Sequence, residues 1–172
     1  RSLFHFGDHD IFPNGDAAVC TFEGEVWLVR GLRDGLEKVT WKRFAAGLHQ
    51  ALGLKITEGK IHVRARDQIT RLHDGNGDDE ADYYECFSNA AATSVGGHDY
   101  TTGLQRDAAG RFYFASSHEG VCRVSADGRT QEVLATGFRN PNGLGLSPEG
   151  EIMVAVQEGD WTPASMLAEA GI

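Results

Sequence analysis

Short apolar runs of three to five residues are separated along this chain by polar turns, and one turn-plus-run unit recurs. Glu23-Gly24-Glu25 precedes Val26-Trp27-Leu28-Val29, and Glu58-Gly59-Lys60 precedes Ile61-His62-Val63. Asp107-Ala108-Ala109-Gly110 precedes Phe112-Tyr113-Phe114-Ala115, and Glu149-Gly150-Glu151 precedes Ile152-Met153-Val154. Runs of this length, rich in β-branched and aromatic residues and bounded by Gly turns, predict strands. The four glycines Gly24, Gly59, Gly110 and Gly150 are 35, 51 and 40 residues apart. Gly-Leu recurs at Gly53-Leu54, Gly103-Leu104 and Gly143-Leu144, and Ala46-Gly47-Leu48 is echoed by Thr136-Gly137-Phe138 ahead of two of these. A period of roughly 40 to 50 residues built from strands and turns is the pattern of propeller blades. The expected fold is all-β: a β-propeller of about four blade-like repeats, part of a six- to eight-bladed ring.

Between these anchors the pattern fills in. Residues 17–30 predict a first strand pair, and Leu36 to Phe44 an outer strand whose Trp41 belongs to the core. Residues 60–72 predict a strand or strand pair. Asp127-Gly128, between Gly120–Val124 and Thr130–Leu134, is a hairpin signal. Ser165 to Ala170 predicts a short C-terminal helix, with Thr162 as N-cap and Pro163 at its first position. The segment before Ala17 holds His5, Asp8, His9, Asp10 and Asp16 without a regular period, and a solvated entry loop is expected there rather than a metal site.

With 41% apolar residues the composition is globular, while the net charge of −9 argues against a phosphate-backbone partner. No cluster of Lys and Arg stands out along the sequence, and no apolar run approaches the roughly 18 residues of a membrane span. No leader is visible, so an export signal would be removed or lie outside this segment. The chain opens at Arg1 rather than Met. Residues 1–172 are therefore expected to form a single partial propeller domain from a longer protein. Cys20, Cys86 and Cys122 lack the Cys-x-x-Cys spacing of zinc or haem attachment. One disulfide with a spare thiol, or three inert thiols, are both compatible with them.

The segment His73 to Glu85 carries distinctive local chemistry. Counting from Asp74, oxygen-bearing side chains stand at Asp74, Asn76, Asp78, Asp82 and Glu85, with Glu80 placed to offer its carbonyl. Ca²⁺ takes about six to eight oxygens, and alternate residues of a curled loop point toward one centre. Asp79 stands where the EF-hand pattern has Gly, and the flanks predict strands rather than helices. Asp tolerates a positive φ better than most residues. The expectation is a structural Ca²⁺ staple rather than a sensor.

Gly137-Phe138-Arg139-Asn140-Pro141-Asn142-Gly143-Leu144, followed by a Gly turn and strand, resembles the glucose/sorbosone dehydrogenase group of propellers that use pyrroloquinoline quinone (PQQ). The resemblance spans roughly residues 96 to 161. The Asp-x-Asn-x-Asp loop and Gly159-Asp160-Trp161-Thr162-Pro163-Ala164-Ser165 also resemble segments of secreted dehydrogenase-like propellers of planctomycete-type bacteria. The resemblance implies a Ca²⁺-dependent enzyme in the periplasm or outside the cell. It would oxidise a sugar or alcohol by hydride transfer to the quinone, with a cytochrome as electron-accepting partner.

Carried over, the base falls on His98 and the quinone-binding arginine on Arg139, with Asn140 beside it. The Gly-Pro pair whose carbonyls hold calcium falls nearest Gly159 and Asp160, and Trp161 is the candidate to stack on sugar or quinone. Where the family has Glu-His-Gly-Pro, this chain has Val156-Gln157-Glu158-Gly159-Asp160. The carboxylate that orients the histidine has no match either, since His118 and Glu119 occupy that neighbourhood and Asp99 is merely adjacent. The alternative reading is a non-catalytic, Ca²⁺-stabilised propeller that binds a polysaccharide or a protein. On that reading His98 only bonds a neighbouring turn, and Arg139 pairs with a carboxylate between blades.

Overall fold

The computed structural model describes residues 4–161 and 163–170. These form four antiparallel sheets in chain order, each a simple meander, set side by side as propeller blades. The first holds β1 (Phe6–Ile11), β2 (Ala17–Thr21), β3 (Val26–Arg30) and β4 (Thr40–Ala45). The second holds β5 (Gly53–Thr57), β6 (Lys60–Arg64), β7 (Ile69–His73) and β8 (Tyr83–Ser88). The third holds β9 (Thr101–Arg106), β10 (Phe112–Ser116), β11 (Gly120–Val124) and β12 (Gln131–Ala135). The fourth holds β13 (Gly143–Leu146), β14 (Ile152–Val156) and β15 (Met166–Ala170).

In the second, third and fourth blades the recurring apolar run is the most buried strand of its sheet, and in the first that place falls to β2. β10 is buried at all five positions. Three apolar clusters fill the gaps between sheets. Val26, Leu54 and Val63 belong to the first, Leu104, Phe112 and Phe114 to the second, and Tyr113, Ile152 and Val154 to the third.

The inner strands β1, β5, β9 and β13 lie next to one another, and glycine at their starts permits this. A Cβ on Gly7 would sit 2.2 Å from the Ala51 carbonyl oxygen, and one on Gly53 2.6 Å from that of Gly103. Gly103 donates its N–H to the Leu52 carbonyl at 2.9 Å. The recurring Gly-Leu of the sequence is thus where one backbone touches the next, with Leu54, Leu104 and Leu144 buried behind it.

Four readings of the sequence need correction. The segment expected as a solvated entry loop is β1, the inner strand of the first blade. Asp8 and Asp10 accept the N–H groups of Leu54 and Ile56, each at 2.9 Å, and so stitch the first blade to the second. Their polarity hid the strand, since the partners are backbone donors of another blade. Burial pushes the Asp8 carboxyl above its ordinary range, partly offset by its hydrogen bonds from Leu54 and His9.

Second, the frame of the repeat shifts in the first blade. Gly59, Gly110 and Gly150 lie in turns leading into second strands, whereas Gly24 leads into β3, a third strand. The matching glycine is Gly15, φ +94°, 44 residues before Gly59. Gly15, Gly24, Gly110 and Gly150 share one turn geometry, with the Gly N–H donating to the carbonyl three residues back. Equal turns at opposite ends of a sheet look alike in sequence.

Third, the expected C-terminal helix is absent, because Met166–Ala170 is β15, paired antiparallel with β14 from Ile152↔Ala170 to Val156↔Met166. Its residues favour helix, but the open edge of β14 offers hydrogen bonds that outweigh a preference of a few tenths of a kcal/mol per residue. The proposed N-cap, Thr162, lies outside the described residues. Fourth, Trp41 is not in the core. It is 51% exposed on the outer side of the first blade, near Phe6 at 6.3 Å, while Phe44 turns inward.

The described cysteines are all free thiols. Cys20 and Cys122 are buried, and burial pushes both thiols up to about 12, which makes them inert; Cys86 is exposed. No helix among the described residues is long and apolar enough to cross a membrane.

Candidate functional site

The antiparallel register brings two sets of loops to one end of the blades. One set leads into the inner strands, and the other joins second to third strands. His98, Arg139, Asn140, Gly159, Asp160 and Trp161 all sit on these loops, so the residues implied by the resemblance share one face.

On this face the two sets of loops tie to each other. Ser117 donates its N–H to the Tyr100 carbonyl at 3.0 Å and its hydroxyl to Asn140 Oδ1 at 2.7 Å. Thr102 Oγ1 donates to the Pro141 carbonyl, and Gln157 N–H to the Arg139 carbonyl at 3.2 Å. In the second blade, buried Arg66 reaches Gln50 Oε1 at 3.1 Å and the carbonyls of Ser94 and Gly96. Arg66 thereby clamps the loop that carries His98. Gln50 and Asn140 hold equivalent places, three residues before Gly53 and Gly143, and both have positive φ, +52° and +38°. A side chain other than Gly in that region stores strain that the surrounding bonds must hold. Sequence reading missed Arg66, Ser117 and Gln50. Their places next to strand ends were visible, but partners 16 to 30 residues away were not.

His98 is exposed, and its ring meets Tyr100 edge-on at 6.5 Å; Tyr100 in turn meets Phe22 of the first blade at 6.0 Å. The carboxylate beside it, Asp99, accepts the hydroxyl of Ser94 and leaves His98 without it. Glu119 is also turned away, with Oε1 accepting Gln131 Nε2 at 2.9 Å. Arg139 pairs with no carboxylate among the described residues. Its Nη1 donates to the Glu158 carbonyl, and its guanidinium lies across Gly159, where a Cβ would come 2.1 Å from Nε. Gly159 is therefore the cradle for Arg139. Asp160 is exposed and Trp161 is 97% exposed.

Just behind this face lies Arg64, fully buried, with its guanidinium over the Phe114 ring at 4.5 Å. Burial pushes it down to about 10, and none of its nitrogens has a hydrogen-bond partner among the described residues.

The acidic loop is at the opposite end, between β7 and β8. It curls as the residue spacing suggested, with Gly77 at φ +77° and Asp79 at φ +67°. Asp74 accepts the N–H groups of Gly77 at 2.6 Å and Asp79 at 3.0 Å, and Asp82 accepts that of Gly75 at 2.7 Å. The Asn76 amide donates to Asp78 and Asp82, both at 3.3 Å, so three of the six candidate ligands come together, with Asp74 bound to the backbone of the same loop. Glu80 instead faces Lys42 at 3.6 Å. Glu85 lies on β8 and turns to His73 Nε2 at 2.7 Å and Arg71 at 3.3 Å, which hold its carboxyl below the usual range, His73 foremost. Asp79 makes a two-pronged bond to Arg30 of the first blade, 2.6 Å on each side, and this lowers its carboxyl likewise. Among the described residues no three His, Cys, Asp or Glu side chains are arranged to hold a metal ion.

No protein-family model matches the sequence, and no curated protein sequence matches it. Solved structures do match in fold. The PQQ domain of pyranose dehydrogenase from Coprinopsis cinerea superposes with a TM-score of 0.69 at 10% identity, over 96% of this chain and 48% of that one. A calcium-binding protein, regucalcin, from Agrobacterium tumefaciens gives 0.70 at 16% identity, over 97% and 61%. YCF48 bound to the D1 peptide gives 0.60 at 12%, over 98% and 54%. These likenesses establish the β-propeller fold, and this chain spans about half to three fifths of each of those chains.

Proposed function

We propose that this chain is part of a PQQ-type sugar or alcohol dehydrogenase-like propeller working in the periplasm or outside the cell, its remaining blades supplied by further sequence. The carrying observation is the convergence of His98 and Arg139 on one loop face through the Tyr100–Ser117–Asn140 bonds. The fold shared with a PQQ domain supports it.

The residues fit the quinone at Arg139. Its planar fork is pre-positioned over Gly159 and suits the carboxylates of such a cofactor. When bound, the quinone would supply the hydride acceptor. His98 would take the proton of the substrate hydroxyl, and exposed Trp161 with the Phe22–Tyr100–His98 row would offer ring faces to a sugar. A cytochrome would then take the electrons onward. Replacing His98 by alanine is expected to lower turnover of sugars and alcohols, followed with an artificial electron acceptor, by at least about 100-fold with the melting temperature unchanged. Unchanged turnover would remove His98 from the role of base. PQQ titrated calorimetrically into the full-length protein, with Ca²⁺ and again with chelator, tests the assignment. Absence of binding to a folded, Ca²⁺-loaded sample would defeat it.

A second reading has its own observation. His98 lacks an orienting carboxylate, since Asp99 is held by Ser94, which favours a non-catalytic face that binds a polysaccharide or a protein. PQQ failing to bind while a glycan or peptide does would select it.

In either reading the loop of Asp74, Asn76, Asp78 and Asp82 takes Ca²⁺, the Glu80 carbonyl contributes, and Glu85 stays with His73. The convergence of Asn76 on two carboxylates supports this. Because Asp79 fastens the loop to Arg30, chelation is expected to lower the melting temperature by several degrees, restored by Ca²⁺ but not by Mg²⁺. No change with the metal demonstrably removed would count against the site.

A further inference from the structure

A small cavity of about 80 Å³ opens between the second and third blades, at the end away from His98. Thr57, Glu58, Lys60, His62, Arg71 and Arg106 line it, along with Phe112. Three cations meet there in a protein whose net charge is −9, although 11 and 35 residues separate them in sequence.

The cations are held in place with donors left over. Arg71 lies on the Phe87 ring at 4.7 Å and donates Nε to His62 Nε2 at 2.9 Å and Nη1 to Glu85 at 3.3 Å. Its Nη2 has no acceptor in these bonds. Arg106 lies over Phe112 at 5.8 Å, with Nε on the Gly110 carbonyl at 3.4 Å. Its Nη2 pairs with Glu58 Oε1 at 3.6 Å, a carboxylate whose side chain is 82% exposed. Lys60 makes no ion pair among the described residues. His62 is a neutral acceptor toward Arg71, so it orients the guanidinium without adding charge.

The geometry points to a binding site for one small tetrahedral oxyanion, phosphate or sulfate, either free or as the terminal group of a substituted sugar. Two guanidinium groups on aromatic faces present planar donors from opposite walls, Lys60 adds a mobile one, and Thr57 lines the same space. The cavity is too small for the rest of such a sugar, which would project into solvent. This site is independent of the loop face assigned to His98 and Arg139.

Titration calorimetry of the full-length protein with inorganic phosphate, inorganic sulfate and glucose 6-phosphate, each against a chloride background, tests it. We expect saturable binding with a Kd on the order of millimolar for the inorganic ions. Lys60→Gln and Arg106→Gln should each weaken binding about tenfold or more, at unchanged circular dichroism. Equal affinity for phosphate and glucose 6-phosphate identifies a free-ion site, and tighter sugar phosphate a terminal-group site. No saturable heat from any of the three overturns the proposal. So does binding that survives Lys60→Gln at full strength, since that exposed lysine can change without disturbing the fold.

Discussion

Gly53→Ala is expected to lower the melting temperature of this protein by roughly 6–12 °C, although it adds a single methyl group. The inner strands approach so closely that this carbon would lie 2.6 Å from the Gly103 carbonyl oxygen and 2.7 Å from its carbon, both backbone atoms of the next blade. Neither can swing aside as a side chain would, and the Gly103 N–H already bonds the Leu52 carbonyl beside it. The strands must separate, which costs about 3 kcal/mol, at the upper end for overpacking, and 1 kcal/mol moves the midpoint about 2–4 °C at this size. Gly53 does not have positive φ, so the effect is one of space. Gly7→Ala should behave alike, at 2.2 Å from the Ala51 carbonyl oxygen. Gly145→Ala, on β13 with nothing within 4 Å of its added carbon, should change stability by no more than about 0.5 kcal/mol. If scanning calorimetry found Gly53→Ala as stable as Gly145→Ala, the close contact of inner strands would be wrong.

The second large effect is acid lability that sets in above the range in which carboxylates titrate. His62 is 2% exposed, its ring edge-on to Phe87 at 5.3 Å and close to Phe112 at 5.1 Å. Burial is the main cause that pushes it down to about 4, and Arg71 adds to it, since the Arg71 Nε–H points at Nε2. The folded value lies below the unfolded value of 6.5, so between these pH values the unfolded chain takes a proton that the folded chain refuses. The contribution is complete above about pH 6.5 and is lost as the pH falls toward about 4, about 3 kcal/mol in all. Urea denaturation at about pH 7 and about pH 4.5 should show most of this loss. His62→Gln, which keeps an acceptor for Arg71 and cannot titrate, should show much less. Asp79 and Glu85, whose carboxyls are held low, add their own loss only at lower pH. An equal fall in parent and variant would assign the acid lability to other groups.

The blades themselves were legible because their signal is local. Gly59, Gly110 and Gly150 each sit in a turn that needs positive φ, and the apolar run that follows buries at least one face, so turn and strand are written in adjacent residues. The curl of the acidic loop was legible for the same reason, down to Asp79 in the left-handed region. Of the candidate site, the sequence placed His98, Arg139 and Asn140 before strand starts, where the register carries them to one face. It did not reveal that Asp99 would turn to Ser94, that Gly159 would seat Arg139, or that Arg66 would hold the His98 loop.

Sequence alone therefore determined the architecture of this chain: short strands of period two, turns that demand glycine, and a repeat of about 40 to 50 residues, all set by bonds between near neighbours. Tertiary structure decided what adjacent residues cannot. It made β1 of an acidic segment by supplying Leu54 and Ile56 as donors, and it turned a helix-favouring stretch into β15 by offering the edge of β14. It also gathered Lys60, Arg71 and Arg106 at the wall of one cavity. In each case the partner lies on another strand or another blade. The energy of a hydrogen bond or a charge pair depends on distance through space, which folding sets and spacing along the chain does not.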